Sequence, residues 1–263
     1  MACRIILVPQ EVTRWDMVVN KNILVKVNRI WNRLGRNLPC AGICYLCSCA
    51  LKTDEFLICA PCKYDLPLNT RACTVCAMPV PAKGTICGVC LQTDSRPVGK
   101  TFALFKYTFP VNRLIHDLKF NARIEIAAFL GEWMARVATE QGLSMPQCFI
   151  PVPLHKSRVA ERGYNQSLEI ARAISHALNI PVNYNLCDRI INTPPQSGMT
   201  AALRGLNIRG AFATAAHCVS LPGHAVLVDD VITTGATVNE LARVLRANGV
   251  ERVDFWVSAR TTY

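Results

Sequence analysis

Apolar runs alternate with helically spaced apolar stripes through the C-terminal two thirds of the chain. Thr101 to Tyr107 alternates as a strand does, and the stripe Leu114, Ile115 and Leu118 predicts a helix over Pro110 to Phe120. A second helix is expected over Ile124 to Val137, and a buried strand over Phe149 to Val152. Gln166 to Leu178 reads as a helix, Val182 to Ile191 as strand-like, and Ala225 to Val228 as a short strand covered on both faces. After it, Val238, Leu241, Val244 and Leu245 recur at helical spacing, so a helix begins near Gly235. Asn248-Gly249 stops that helix, and Val253 to Ser258 is the last strand. Strands alternating with helices predict an α/β fold, a parallel sheet with helices on both faces and any ligand at the strand C-terminal ends. Before residue 39 the pattern is thinner. Ile23, Val27, Ile30, Trp31 and Leu34 suit an amphipathic helix, a poorly ordered extension, or sequence upstream of a true start at Met17; the residues do not choose among these.

The strand-to-helix unit AVLVDDVITTGAT, residues 225 to 237, carries the clearest chemistry. A strand feeding a Gly-containing turn and a helix N-terminus offers unpaired N–H groups and a favourable dipole to an anion. Thr233, Thr234 and Thr237 add hydroxyls, while Gly235 and Ala236 let a phosphate approach the backbone. Asp229 and Asp230 would repel that phosphate unless they accept hydrogen bonds from hydroxyls of the same ligand. A sugar phosphate supplies both parts. The plain alternative is an Asp-ended strand before a Thr-capped helix. A second informative segment is PVPLHKSRVAERGYNQS, residues 151 to 167. Lys156, Arg158 and Arg162, with His155, read as a basic loop after a strand, suited to a polyanion such as pyrophosphate or simply solvated. The segment from Thr200 to Ala211 reads as a flap.

Eight of the fourteen cysteines fall into four C-x₂-C pairs: Cys44/Cys47, Cys59/Cys62, Cys73/Cys76 and Cys87/Cys90. Two such pairs complete a tetrahedral S₄ site, so four imply two structural Zn²⁺ ions in a small double zinc-ribbon module over residues 39–92. A disulfide framework is the alternative. Pairing first with second and third with fourth is simplest; an interleaved pattern stays open. Cys40 and Cys49 lie close enough to be alternative ligands but do not fit the repeated spacing, while Cys3, Cys148, Cys187 and Cys218 stand alone as small buried hydrophobes.

At 51% hydrophobic and 18% charged, the chain can bury a real core, and global disorder is excluded. The formal charge of +11 becomes about +7 once eight thiolates and two zinc ions are counted. That excess is compatible with nucleic acid or polyphosphate partners. An aromatic content of 7% and the lack of an aromatic–basic repeat give no support to direct single-stranded DNA binding. No apolar run approaches the ~20 residues of a membrane span, and no signal-peptide pattern opens the chain, so a cytoplasmic location is expected.

The motif at residues 225–237 resembles that of the type I phosphoribosyltransferases, whose substrate is phosphoribosyl pyrophosphate (PRPP). With the cysteine pairs, LIHDLKF (114–120), PVPLHKSRVAERGYNQS and PQSGMTAALRGLNIRGAF (195–212), the arrangement from about Cys44 to Arg260 is similar to the ComF/GntX family of competence and DNA utilization proteins. Tyr164 stands where that family usually has Phe. The resemblance implies a type I phosphoribosyltransferase-like domain over 101–263 behind the cysteine-rich module, and a role in uptake or use of DNA. Asp229 and Asp230 would hold a ribose, Thr233 to Thr237 its 5-phosphate, and Lys156, Arg158, Arg162, Lys119 and Arg204 would be pyrophosphate or flap contacts. Mg²⁺ would accompany PRPP, held mainly through substrate oxygens. An active PRPP-dependent transferase of nucleotide salvage is the alternative; no acceptor and no catalytic residue can be named.

Overall fold

In a computed structural model, residues 42–82, 85–93, 96–193, 208–214 and 221–262 are described. The extension before residue 39, the Met17 question, Cys40, Cys218 and Arg204, with most of the expected flap, lie outside these residues. From Ile43 onward the chain forms one compact unit.

Four strands make the central sheet: β1 (Thr101–Lys106), β2 (Cys148–Pro151), β5 (His224–Ile232) and β6 (Arg252–Arg260). They are parallel and lie in the order β1-β6-β5-β2. Alternate side chains go to opposite faces, as the two-residue strand period requires. Val226, Val228 and Trp256 join one core with α3 (Val111–Phe120), α4 (Glu125–Glu140) and α6 (Gln166–Leu178). Ala225, Leu227, Phe255 and Val257 join the other, under Leu241 and Leu245 of α7 (Ala236–Ala247). The α/β architecture with helices on both faces is therefore present. Gly131 sits where α4 crosses α6; a Cβ there would stand 2.5 Å from that of Ala173.

Three segments differ from the sequence reading. The basic stretch is a short helix, α5 (Lys156–Arg162), not a loop: His155 caps its start by accepting from Ser157 N–H at 3.3 Å, and Gly163 ends it at φ +85°. The stretch 182–191 shrinks to a bridge at Val182 beside Phe149 and to β3 (Cys187–Arg189), which pairs antiparallel with β4 (Phe212–Thr214). Finally, β5 runs to Ile232, so the acid pair lies inside the strand rather than after it.

The cysteine-rich segment is built twice on one plan. Cys44 N–H donates to Cys49 O and Ser48 N–H to Cys44 O; twenty-nine residues on, Cys73 and Ala77 do the same toward Met78 and Cys73. Bridges Ile43–Ala50 and Ala72–Pro79 close the two knuckles. The second pair of each group opens a short helix, α1 (Ala60–Tyr64) or α2 (Gly88–Leu91), with Cys59 or Cys87 at its N-cap. Between the groups, the stretch around Leu68 lies antiparallel to β1. Asn69 N–H donates to Leu104 O, and Lys106 N–H to Pro67 O, both at 2.9 Å.

Candidate functional site

The site follows from where β2 stops. Its register with β5 ends at Pro151 opposite Val228, while β5 continues beside β6 as far as Ile232. Asp229 to Ile232 thus flank a cleft beyond the end of β2. A cavity of about 440 Å³ occupies it, walled by Asp229, Asp230, Thr233 and Thr237 with Lys119, His155, Arg158 and Arg189 among others. A recess of about 60 Å³ at the turn is lined by Thr233, Gly235, Ala236 and Thr237.

That turn is made for close backbone approach. Gly235 adopts φ +80°, which L side chains rarely take, and is the N-cap of α7 with no side-chain cap. Thr234, expected among the phosphate contacts, lines neither the cavity nor the recess; its hydroxyl accepts from Ala236 N–H at 3.4 Å. Arg260, 4% exposed, donates to Ile232 O at 3.2 Å and to Thr233 O, and Thr261 N–H also reaches Ile232 O. The carbonyl side of the turn is pinned by a cation, which adds positive potential beside the recess.

The two carboxylates are dressed differently. Asp229 Oδ1 accepts from Ser167 Oγ at 2.7 Å and from Asp230 N–H at 2.9 Å. Burial, then the neighbouring Asp230 charge, raises Asp229 to about 7. Asp230 is 3% exposed; its Oδ1 meets Lys119 Nζ at 3.0 Å, and its Oδ2 is buried without a hydrogen-bond partner among the described residues. Burial works to lower the Lys119 ammonium, but Asp230 and Asp229 together hold it above its ordinary value.

Of the basic residues expected here, Lys119 and Arg158 line the cavity. Lys156 is exposed on α5, and Arg162 turns to Gln166 Oε1 and the face of Phe120, 5.5 Å from its centroid. The sequence reading missed Arg189 and Ser167. Arg189 leaves β3 over the Phe212 ring and donates to Thr193 Oγ1. Burial depresses its pKa, Asp229 opposes that, and Arg158 adds to it. Nothing around Arg189 in the sequence marks it, whereas Ser167 closes the segment 151–167.

The eight cysteines form two groups, Cys44/Cys47/Cys59/Cys62 and Cys73/Cys76/Cys87/Cys90, whose sulfurs all lie within 4.8 Å of one another in each group. Adjacent pairing is therefore the arrangement, and each group can hold a metal ion. Burial pushes the Cys44 thiol up, but N–H donors of Cys59, Cys47 and Leu46 outweigh it and bring it to about 6. Cys73 falls to about 7 for the same reasons, with donors from Cys87, Cys76 and Val75. Burial and the neighbouring sulfurs raise Cys62 and Cys90 instead, so one sulfur of each group is poised as thiolate, and a four-sulfur set of this kind fits structural zinc. Cys148 and Cys187 are buried in the core and, among the described residues, belong to neither group.

Among known proteins, the chain is 35% identical over 230 residues to DNA utilization protein YhgH of Salmonella typhimurium, covering 85% of this chain and 99% of that one. It is 32% identical over 222 residues to Competence protein F of Haemophilus influenzae, covering 82% and 96%. The chain belongs to the ComF/GntX family. No protein-family model matches it. Solved structures similar to this ComF/GntX chain include the B. subtilis glutamine PRPP amidotransferase complexed with ADP and GMP, at TM-score 0.35 and 18% identity over 51% of this chain and 27% of that one. A purine phosphoribosyltransferase from Pyrococcus horikoshii gives TM-score 0.29 and 16% identity, over 61% and 87%. The departure at Tyr164 has a structural consequence: its hydroxyl donates to Leu118 O, beside Lys119. No helix among the described residues is long and apolar enough to cross a membrane.

Proposed function

We propose that the cavity binds a phosphoribosyl compound, PRPP or a close relative, in a cytoplasmic protein that serves the uptake or utilization of DNA. The DNA role follows the names of the relatives. The ligand follows one observation: the acid pair, Thr233 and Thr237 of the turn, and two arginines wall the same cavity of about 440 Å³. Asp229 and Asp230 accept from the ribose hydroxyls, and the turn and α7 N-terminus take the 5-phosphate. Arg158 and Arg189 supply charge for a pyrophosphate, whose oxygens carry Mg²⁺. The two four-cysteine groups hold structural Zn²⁺, forming a module over 39–92 ahead of the ligand-binding domain at 101–263.

Calorimetry of the zinc-loaded protein with PRPP and Mg²⁺ tests this reading, with the Asp229→Ala/Asp230→Ala double variant and single-stranded oligonucleotides alongside. PRPP binding by the wild type and its loss in the variant are expected. Undiminished binding in the variant would sink the assignment. Oligonucleotide binding untouched by the double substitution would put DNA contact outside the cavity. Release of pyrophosphate only on adding a nucleobase would make the protein a PRPP-dependent transferase.

A further inference from the structure

Adjacent buried carboxylates need a cation nearby to remain ionised together. In this site the cation is part of the chain. Lys119 lies on the last turn of α3, its side chain 24% exposed and its ammonium 3.0 Å from Asp230 Oδ1. The turn that carries it is fastened at residue after residue. Asp117 accepts from Tyr45 Oη at 2.5 Å and from Asn121 Nδ2 at 2.6 Å. Leu118 O accepts from Tyr164 Oη, and Phe120 lies under the Arg162 guanidinium. The ammonium is thus held by a fixed helix end, not by a freely moving surface chain. The second oxygen, Asp230 Oδ2, is buried with no hydrogen-bond partner among the described residues, so Lys119 is the cation that this carboxylate meets there.

We infer that Lys119 is a tethered counter-ion that fixes Asp230 by one oxygen and holds its charge beside Asp229, so that the acid pair takes a pentose without a divalent cation bridging it. Lys119 is in this sense a positioning residue for Asp230. The inference rests on the phosphoribosyl reading of the cavity. It separates the pentose end, which needs no Mg²⁺, from a pyrophosphate end that carries its own.

Ribose 5-phosphate, which lacks the pyrophosphate, is the suitable probe, with inorganic phosphate as a probe of the turn alone. Binding is measured on the full-length zinc-loaded protein in metal-depleted buffer and with millimolar Mg²⁺, its zinc content checked before and after. Wild-type affinity for ribose 5-phosphate should change less than about twofold with Mg²⁺. Lys119→Met should weaken that ligand by about tenfold or more, the scale of a lost charge-assisted contact, while inorganic phosphate is held within about twofold. A Mg²⁺ requirement in the wild type overturns the inference whether or not the variant folds. Undiminished ribose 5-phosphate binding by Lys119→Met overturns it too, as does an equal loss of both probes, which would mark Lys119 as merely structural. If neither probe binds the wild type under any condition, the phosphoribosyl reading itself fails.

Discussion

At the residue scale, Asp229 carries a charge that its surroundings resist. Its carboxyl is raised to about 7, whereas an unfolded Asp titrates near about 4. The folded protein therefore holds a proton that the unfolded chain releases. Stability from this group is full at the acid side of that window and is lost as pH rises through about 7. Asp229→Asn should melt above the wild type at pH 8, with the gap closing toward pH 5 in a series of thermal scans. Ligand binding should run the other way, since an ionised acid pair accepts hydroxyls best: wild-type affinity for ribose 5-phosphate should rise from pH 6 to pH 8. Ser167→Ala removes a hydrogen bond that lowers the Asp229 pKa. The midpoint of that binding profile should move to higher pH, and an unmoved midpoint would remove Ser167 from the site. Asp229, Asp230 and the Thr/Gly turn were legible because thirteen contiguous residues hold them all. Ser167 was not, since its partner lies 62 positions away. Arg189 is brought to the cavity wall by a three-residue strand with no pattern of its own.

Elements explain most of what the sequence left out. A seven-residue helix such as α5 is too short to display an apolar stripe, and prolines before it with a glycine after it read as loop punctuation. The acid pair seemed to end β5 because Asp is unfavourable in strands, yet pairing with β6 carries the strand onward. Longer elements were read nearly to their ends: Gln166 to Leu178 coincides with α6, and α3 begins one residue after the expected Pro110. Helix α6 also brings Ser167 to Asp229, so its seat on α4 matters to the cavity. Gly131→Val places atoms where Ala173 Cβ and Ile170 O already lie within 2.7 Å of a Cβ. Overpacking of this kind costs about 1–3 kcal/mol or more, and a fall in the urea midpoint with unchanged slope would measure it. A substitution tolerated without loss would show that the two helices separate easily.

On the scale of the whole molecule, the two cysteine groups share a plan but not their surroundings. The first is joined to α3 through Tyr45 and Asp117, and Arg123 stacks 4.8 Å over the Tyr45 ring. Its Cys44, Ile58 and Cys59 enter the core of the helix-rich face, whereas Ala77 of the second belongs to the core on the other face. Cys47→Ser should therefore weaken ribose 5-phosphate binding more than Cys76→Ser does, in variants whose zinc content is measured; equal effects would deny the link from the first group to Lys119. Spacing alone revealed the two cysteine groups, but not that the chain between them turns back along the sheet, since Leu66 to Asn69 has no strand period. That strip covers the outer side of β1 and is clamped at both ends by a cysteine group. Demetallation should then do more than loosen a small appendage. It would strip the guard rail from an open flank, where a second molecule can zip on by the same backbone bonds, and light scattering should record particles that grow with protein concentration.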